Sequence, residues 1–301
     1  MFADFLPPQV NALIEPTSIA LAQNIERQLI STPLSPQPIA TSYVRQGKAG
    51  TPVPPILLLH GFDSSVFEFR RLLPLLATQA ETWALDLLGF GFTERLAGIP
   101  FGPTAIKTHL YQAWQTLIGQ PVTLVGVSMG GAAAIDLAIS YPEVVQNLVL
   151  IGSAGYSSGP VMGRFLVPPL DVWAAEFLRS PRVRDQVSRT AYYDPSFASA
   201  DAALCAALHL EMPGWREALI AFTKSGGYRA FGNKLAQLTQ PTLILWGDSD
   251  RILGTGDASR LQQAIAHSKL VWVKNCGHVP HLEQPQFTAE QILAFRSTSG
   301  S

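Results

Sequence analysis

Two cysteines in 301 residues, Cys205 and Cys276, are too few for a disulfide framework. They fit a reduced protein whose fold rests on packing. Long hydrophobic runs are also missing, so no membrane-spanning helix is expected. The N-terminus has neither a basic stretch nor an apolar signal core, which argues against secretion. Charged residues make up only 14%, with a net charge of −1, so nothing in the charge balance points to a nucleic-acid partner. No H-E-x-x-H occurs, and His278-x-x-His281 lacks a third ligand, so neither metal nor cofactor is expected. What remains is a chain that is 47% apolar and long enough for one large domain, or a core with an insert.

Within it, Gly126-Val127-Ser128-Met129-Gly130 follows the apolar run Val122-Thr123-Leu124-Val125 and opens a helical stretch from Gly131 to Ile139. G-x-S-x-G in a strand–turn–helix context is the nucleophile elbow, which holds a serine hydroxyl in the open on a strained turn. Upstream, Ile56-Leu57-Leu58-Leu59 reads as a buried parallel strand ending in His60-Gly61-Phe62. The backbone N–H groups of Phe62 and Met129 are therefore assigned as the oxyanion donors, with His60 bracing the loop.

Downstream, Thr242–Trp246 leads to Gly247-Asp248-Ser249-Asp250, and Leu270–Val273 leads to Asn275-Cys276-Gly277-His278. Serine, acid and histidine thus each follow a strand, and in a parallel sheet the strand ends share one edge. Ser128 is read as nucleophile, His278 as general base and acid, and Asp250 as the carboxylate that orients the imidazole. Asp248 is the rival acid, read as a local brace. His281 is expected beside the site or on the substrate, and Cys276 is not read as a nucleophile. A dehalogenase or epoxide hydrolase is disfavoured, because both need a carboxylate where Ser128 stands.

The rest alternates strand and helix: strands at Tyr43-Val44, Thr82–Asp86 and Asn147–Ile151, helices over Phe67–Leu76, Thr104–Ile118 and Pro285–Phe295. The expected fold class is α/β: an α/β-hydrolase fold, with a mostly parallel doubly wound sheet. Between Ser153 and Leu238 the rhythm breaks. The expected division is a core of residues 1–152 and 238–301 with a helical cap, 153–237, inserted. Phe165, Leu166, Leu170, Trp173 and Phe177 are expected to line a hydrophobic substrate channel under that cap. His209 reads as a helix-surface residue. Ile19 to Ile30 reads as an amphipathic helix ended by Pro33, Pro36 and Pro38, and as a second apolar docking surface.

From about Tyr43 to Phe295 the chain resembles the α/β-hydrolases, and within them the chlorophyll dephytylases of photosynthetic organisms. The segments that carry the likeness are His60-Gly61-Phe62-Asp63-Ser64-Ser65 with Glu68-Phe69-Arg70-Arg71, Trp83–Phe92, Ser225-Gly226-Gly227-Tyr228, Leu243–Asp248 and Asn275-Cys276-Gly277-His278-Val279-Pro280-His281-Leu282-Glu283. The resemblance implies hydrolysis of the ester that joins phytol to chlorophyll, giving chlorophyllide and phytol, with Ser128, Asp250 and His278 as triad. Plant members carry a proline where this chain has Val127, and a plastid-targeting extension not found here, which suits a cyanobacterial member. The implied partner is a hydrophobic ester such as chlorophyll. The implied location is cytoplasmic or peripheral on the thylakoid membrane. Three other readings stay open: a general carboxylesterase or lipase, a cofactor-free haloperoxidase or C–C hydrolase on the same triad, and a non-catalytic pigment-binding assembly factor.

Overall fold

Four all-buried strands make the centre of the sheet. Ile56–Leu59 (β3), Thr82–Leu85 (β4), Val122–Val127 (β5) and Thr242–Gly247 (β7) have every residue buried. Only a strand covered on both faces can tolerate such a run. A computed structural model describes residues 1–50, 53–158 and 165–298. In it, Ile25–Thr32 (β1) and Ser35–Gln46 (β2) form an antiparallel hairpin that leans on β4. Parallel pairing continues through Val145–Ile151 (β6) to the edge strand Ser268–Val273 (β8). The eight strands run in the order β1-β2-β4-β3-β5-β6-β7-β8.

The helices are Pro16–Gln23 (α1), Leu73–Leu76 (α2), Pro103–Leu117 (α3), Met129–Ser140 (α4), Leu170–Arg179 (α5), Pro181–Ala191 (α6), Ala200–Ala207 (α7), Trp215–Ser225 (α8), Gly256–Ala264 (α9), Pro280–Glu283 (α10) and Pro285–Thr298 (α11). Alternate residues of one strand feed opposite cores, as a period of two requires. Leu57, Leu59 and Leu124 join α3, α4 and α9 in one core. Ile56, Leu58 and Val125 join α1, α2 and α11 in the other. The sheet is therefore doubly wound, as expected. Between β6 and β7 the described elements are all helical, α5 to α8, in the stretch read from sequence as 153–237; residues 159–164 lie outside the described residues.

Two expectations fail locally. The helix read over Ile19–Ile30 stops at Gln23, and Ile25–Thr32 is a strand. Its Ile30 pairs opposite Ile39 of β2, and both are fully buried. Tertiary pairing overrides a helix-compatible pattern here. Pro36 and Pro38 lie inside β2 instead of ending a helix. They sit where β2 has only β1 as neighbour, since β2 meets β4 only from Tyr43 onward, so a missing N–H costs no second ladder bond. Nor is the N-terminus a free docking surface. Leu6, Val10, Leu13, Leu21 and Ala22 are buried in the core, and Asp201 of α7 accepts the amides of Ile14 and Glu15 and the Ser18 hydroxyl at 2.5–3.0 Å. The helix expected over Phe67–Leu76 is a single 3₁₀ turn, Val66–Phe69, followed by the four-residue α2. Pro74 accounts for the break, because it has no N–H to continue a helix from Val66.

Candidate active site

The site begins where β5 must become α4 within one residue. Ser128 takes φ 51°, ψ −117°, a conformation side chains rarely adopt. The turn is tight enough that a Cβ on Gly126 would strike the Gly130 carbonyl. One on Gly130 would strike the carbonyls of Leu59 and His60 at the end of β3. Glycine at both positions lets helix and strand close on the serine. The Met129 amide is the first of α4 and has no intrahelical acceptor. Neither it nor the Phe62 amide donates to any other described group. Both are thus unspent donors on the two loops that flank Ser128, and Gly61 is so close that a Cβ on it would lie 3.4 Å from that of Ser128.

Asp250 and His278 meet across the ends of β7 and β8. Asp250 Oδ2 accepts from His278 Nδ1 at 2.8 Å, and its Oδ1 accepts the amides of Ile252 and Leu253 at 2.8 and 3.0 Å. With both oxygens acting as acceptors, the carboxylate fixes the tautomer that carries hydrogen on Nδ1 and leaves Nε2 free as base. Ser128 and His278 line the same cavity, about 320 Å³ in volume. Asp248 faces elsewhere: it accepts the Ser249 hydroxyl at 3.0 Å and lies 3.8 Å from Lys274 Nζ. His281 does not reach the cavity. It is fully buried, with Nε2 3.3 Å from Glu68 Oε1, and it shares no ligand with His278. Cys276 and Cys205 are both free and buried. Burial and nearby carboxylates push the Cys276 thiol far up, and burial pushes Cys205 to about 11, so neither is a ready thiolate.

The loop after β3 is over-determined. His60 donates from Nδ1 to the Gly61 carbonyl at 2.8 Å, while its Nε2 accepts the Leu87 amide at 3.1 Å. It braces the loop, as its place in the sequence suggested. Glu68 accepts the Gly61 amide at 2.7 Å. Burial works to raise the Glu68 carboxyl, but the His281 and His60 rings and the Gly61 amide hold it below its ordinary value. One residue past Phe62, Asp63 sits at φ 48°. Its Oδ1 accepts from Trp215 Nε1 at 2.8 Å and His209 Nε2 at 3.1 Å, and its Oδ2 from Arg184 Nη1 at 2.7 Å. Burial would raise this carboxyl too; His209, Arg184 and Trp215 together hold it well below the usual range. His209 is therefore fully buried, not a surface histidine.

Helices α6 and α8 and the 3₁₀ turn Leu208–Glu211, all between β6 and β7, thus converge on the residue after a proposed oxyanion donor. His278 is tied to the same region. The Ala191 carbonyl of α6 accepts its amide at 2.7 Å, and Glu283 bridges the amides of Gly277, Tyr193 and Asp194 at 2.7–3.2 Å. Asp63, Glu68 and Glu283 stand in the strings that carry the family likeness, yet their partners Arg184, His209 and Trp215 have no pattern in sequence to announce them.

The expected channel residues lie elsewhere. Phe165, Leu170, Trp173 and Phe177 are 49–75% exposed, and none lines the cavity. Leu166 sits in a separate crevice between α5 and α8. On α5 the inward positions are Asp171, bound to Lys224, and Ala175, packed on Leu210, Trp215 and Leu219. Leu170, Trp173 and Phe177 share the opposite face. The cavity is lined instead by Leu178, Val183, Val187, Ala191 and Tyr192 of α5, α6 and the residue that follows, and by Ala202, Cys205 and Ala206 of α7.

Known proteins share this fold. The profile of the alpha/beta hydrolase family matches residues 56–291. VTE7 of Arabidopsis thaliana, an alpha/beta hydrolase domain-containing protein, is 32% identical over 98% of this chain and 91% of its own length. The 2-hydroxy-6-oxo-2,4-heptadienoate hydrolase of Pseudomonas putida is 32% identical over 76% of this chain and 84% of its own. Among solved structures, a thermophilic esterase from Thermogutta terrifontis superposes with a TM-score of 0.76 at 22% identity, covering 92% of this chain and all of that one. With its elbow, its strand order and a profile that spans the whole sheet from β3 onward, the chain belongs to the α/β-hydrolase family of hydrolases.

Proposed function

We propose that this protein is a serine-type carboxylic ester hydrolase that acts on a bulky apolar ester, with the phytyl ester of chlorophyll as its substrate. The observation that carries the reading is the Asp250–His278 pair at 2.8 Å, facing a cavity it shares with Ser128. His278 Nε2 takes the Ser128 proton as Oγ attacks the ester carbonyl. The Phe62 and Met129 amides receive the oxyanion, and His278 returns the proton to the departing alcohol. Water, activated by the same imidazole, then releases the acid.

Helices α5 to α8 act as the cap. A cavity of about 320 Å³ is at the small end for ligand pockets and encloses one limb of such a substrate. The other limb lies outside. Leu178, Val187 and Ile252 line the cavity and are also 37–52% exposed, and Leu178 lies on α5 next to the outward-facing Phe177. The outward face of Leu170, Trp173 and Phe177, not the N-terminal segment, is the surface that rests on a lipid bilayer, where a phytyl ester resides. No described helix is long and apolar enough to cross a membrane.

The test is incubation of the protein with chlorophyll a and with p-nitrophenyl esters, followed by detection of chlorophyllide and nitrophenol. Ser128→Ala should abolish both, with a loss of about six orders of magnitude in kcat. Turnover of nitrophenyl esters without chlorophyllide formation leaves a general carboxylesterase. Full activity of the alanine variant refutes the nucleophile. Because the Pseudomonas putida relative is named for a keto-dienoate substrate, a vinylogous diketone belongs in the panel, and its cleavage in place of ester hydrolysis would replace the ester reading.

A further inference from the structure

One wall of the catalytic cavity holds a charge the triad does not use. Arg70 lines the cavity yet is only 3% exposed. Its Nη1 donates to the Phe67 carbonyl at 3.3 Å, in its own turn of chain. Its Nε and Nη2 meet no hydrogen-bond acceptor in good geometry, and the one polar side chain that approaches the guanidinium is the neutral Tyr192 phenol. Nearby groups do not neutralise it. The Tyr192 phenol and Cys205 thiol beside it are uncharged at neutral pH, both pushed up by burial. Glu15, the carboxylate in its field, is already bound to Arg71 at 2.9 and 3.0 Å. No described carboxylate lies within ion-pair distance of Arg70, whereas the other cavity arginine, Arg184, is paired with Asp63 at 2.7 Å. Buried guanidinium N–H groups left unmet are costly, and such groups in a folded protein call for a partner. Most of the remaining lining is apolar, and Tyr192 brings no charge, so a counter-charge for Arg70 is left to the ligand.

We infer that Arg70 is a binding residue, a subsite for a second sp² oxygen, of a carboxylate or a ketone, on the limb of the ester that enters the cavity. This rests on the ester-hydrolase reading and narrows its substrate class to esters with an oxygen function away from the scissile carbonyl. The guanidinium offers two adjacent donors, which suit a carboxylate best and a ketone less well.

The test compares p-nitrophenyl esters of a plain medium-chain acid, the matching keto acid and the matching dicarboxylic acid. Wild-type kcat/KM should favour one of the oxygen-bearing esters by about tenfold, chiefly through KM, as expected for one charge-assisted bond. The favoured ester identifies the source of the oxygen. Arg70→Met should erase that preference, and Arg70→Lys should keep part of it. A measurement independent of turnover uses Ser128→Ala: the free dicarboxylic or keto acid should raise its melting temperature and fail to do so in Ser128→Ala/Arg70→Met. Should Arg70→Met not fold, the wild-type ester ratio and the acid protection of Ser128→Ala still decide. Equal kcat/KM for all three esters together with no protection overturns the subsite and leaves the esterase reading standing. Full turnover by Ser128→Ala overturns the esterase reading, while acid protection remains a separate measure of Arg70.

Discussion

Asp63→Asn removes one negative charge at nearly constant shape, and the geometry says which bond fails. His209 and Trp215 donate to Oδ1, which an asparagine keeps as its amide oxygen. Arg184 donates to Oδ2, which becomes an NH₂ group, so donor faces donor and the guanidinium loses its counter-charge. Asparagine also tolerates the positive φ of 48°, so backbone strain does not confuse the result. Breaking a buried pair by removing one partner costs about 3–5 kcal/mol. Arg184 retains 20% exposure, which favours the low end, about 3 kcal/mol. For a domain of this size that lowers Tm by roughly 6 °C. Activity should fall as well, because the Phe62 amide adjoins Asp63 in the chain; loss of one oxyanion donor costs about 10²–10³ in kcat, which sets the ceiling. Thermal unfolding by circular dichroism and p-nitrophenyl ester kinetics measure both effects. Arg184→Met completes a double-mutant cycle, in which the pair should show a coupling of about 1–3 kcal/mol. If the two changes simply add, and Asp63→Asn leaves Tm and kcat at wild-type values, then Asp63 does not hold the helical segment to the oxyanion loop.

Acid should destabilise the fold through His109, whose ring burial lowers to about 4 from 6.5. The folded protein keeps it neutral while the unfolded chain takes up a proton, so its contribution is intact above pH 6.5 and is lost as pH falls toward 4, by about 3 kcal/mol in full. Urea titrations should show this slope in wild type and a flatter one in His109→Gln; identical slopes would exclude His109 as the cause. On the surface, Trp173→Ser with Phe177→Ser should cut liposome co-sedimentation by about a hundredfold, at about 1.5–3 kcal/mol for each side chain withdrawn from lipid. Undiminished sedimentation of that double variant rules out α5 as the contact face.

Much of the site was legible because its demands are local. A strand that turns into a helix on one serine needs Gly126 and Gly130 within two residues of it, so the elbow is spelled out as a contiguous string. Order along the chain then nominated Asp250 and His278, since parallel strands deliver their carboxyl ends to one edge. The α5 face was misassigned for an equally physical reason. Periodicity shows that Leu170, Trp173 and Phe177 share a side, but it does not show whether that side faces protein or water. β1 was misread because Ile25 to Ile30 satisfies a helix pattern until β2 is there to pair with it.

By itself, then, the amino-acid order determined the parallel core, the elbow and the candidate triad, all set by rules that act within a few residues or by strand succession. Only tertiary structure decided that Asp63 gathers Arg184, His209 and Trp215, that Arg70 stands at the cavity wall without a carboxylate partner, and that the apolar face of α5 looks outward. Those are contacts between segments up to 152 residues apart. Burial and hydrogen-bond satisfaction act on distance in space, and no pattern along the chain encodes them.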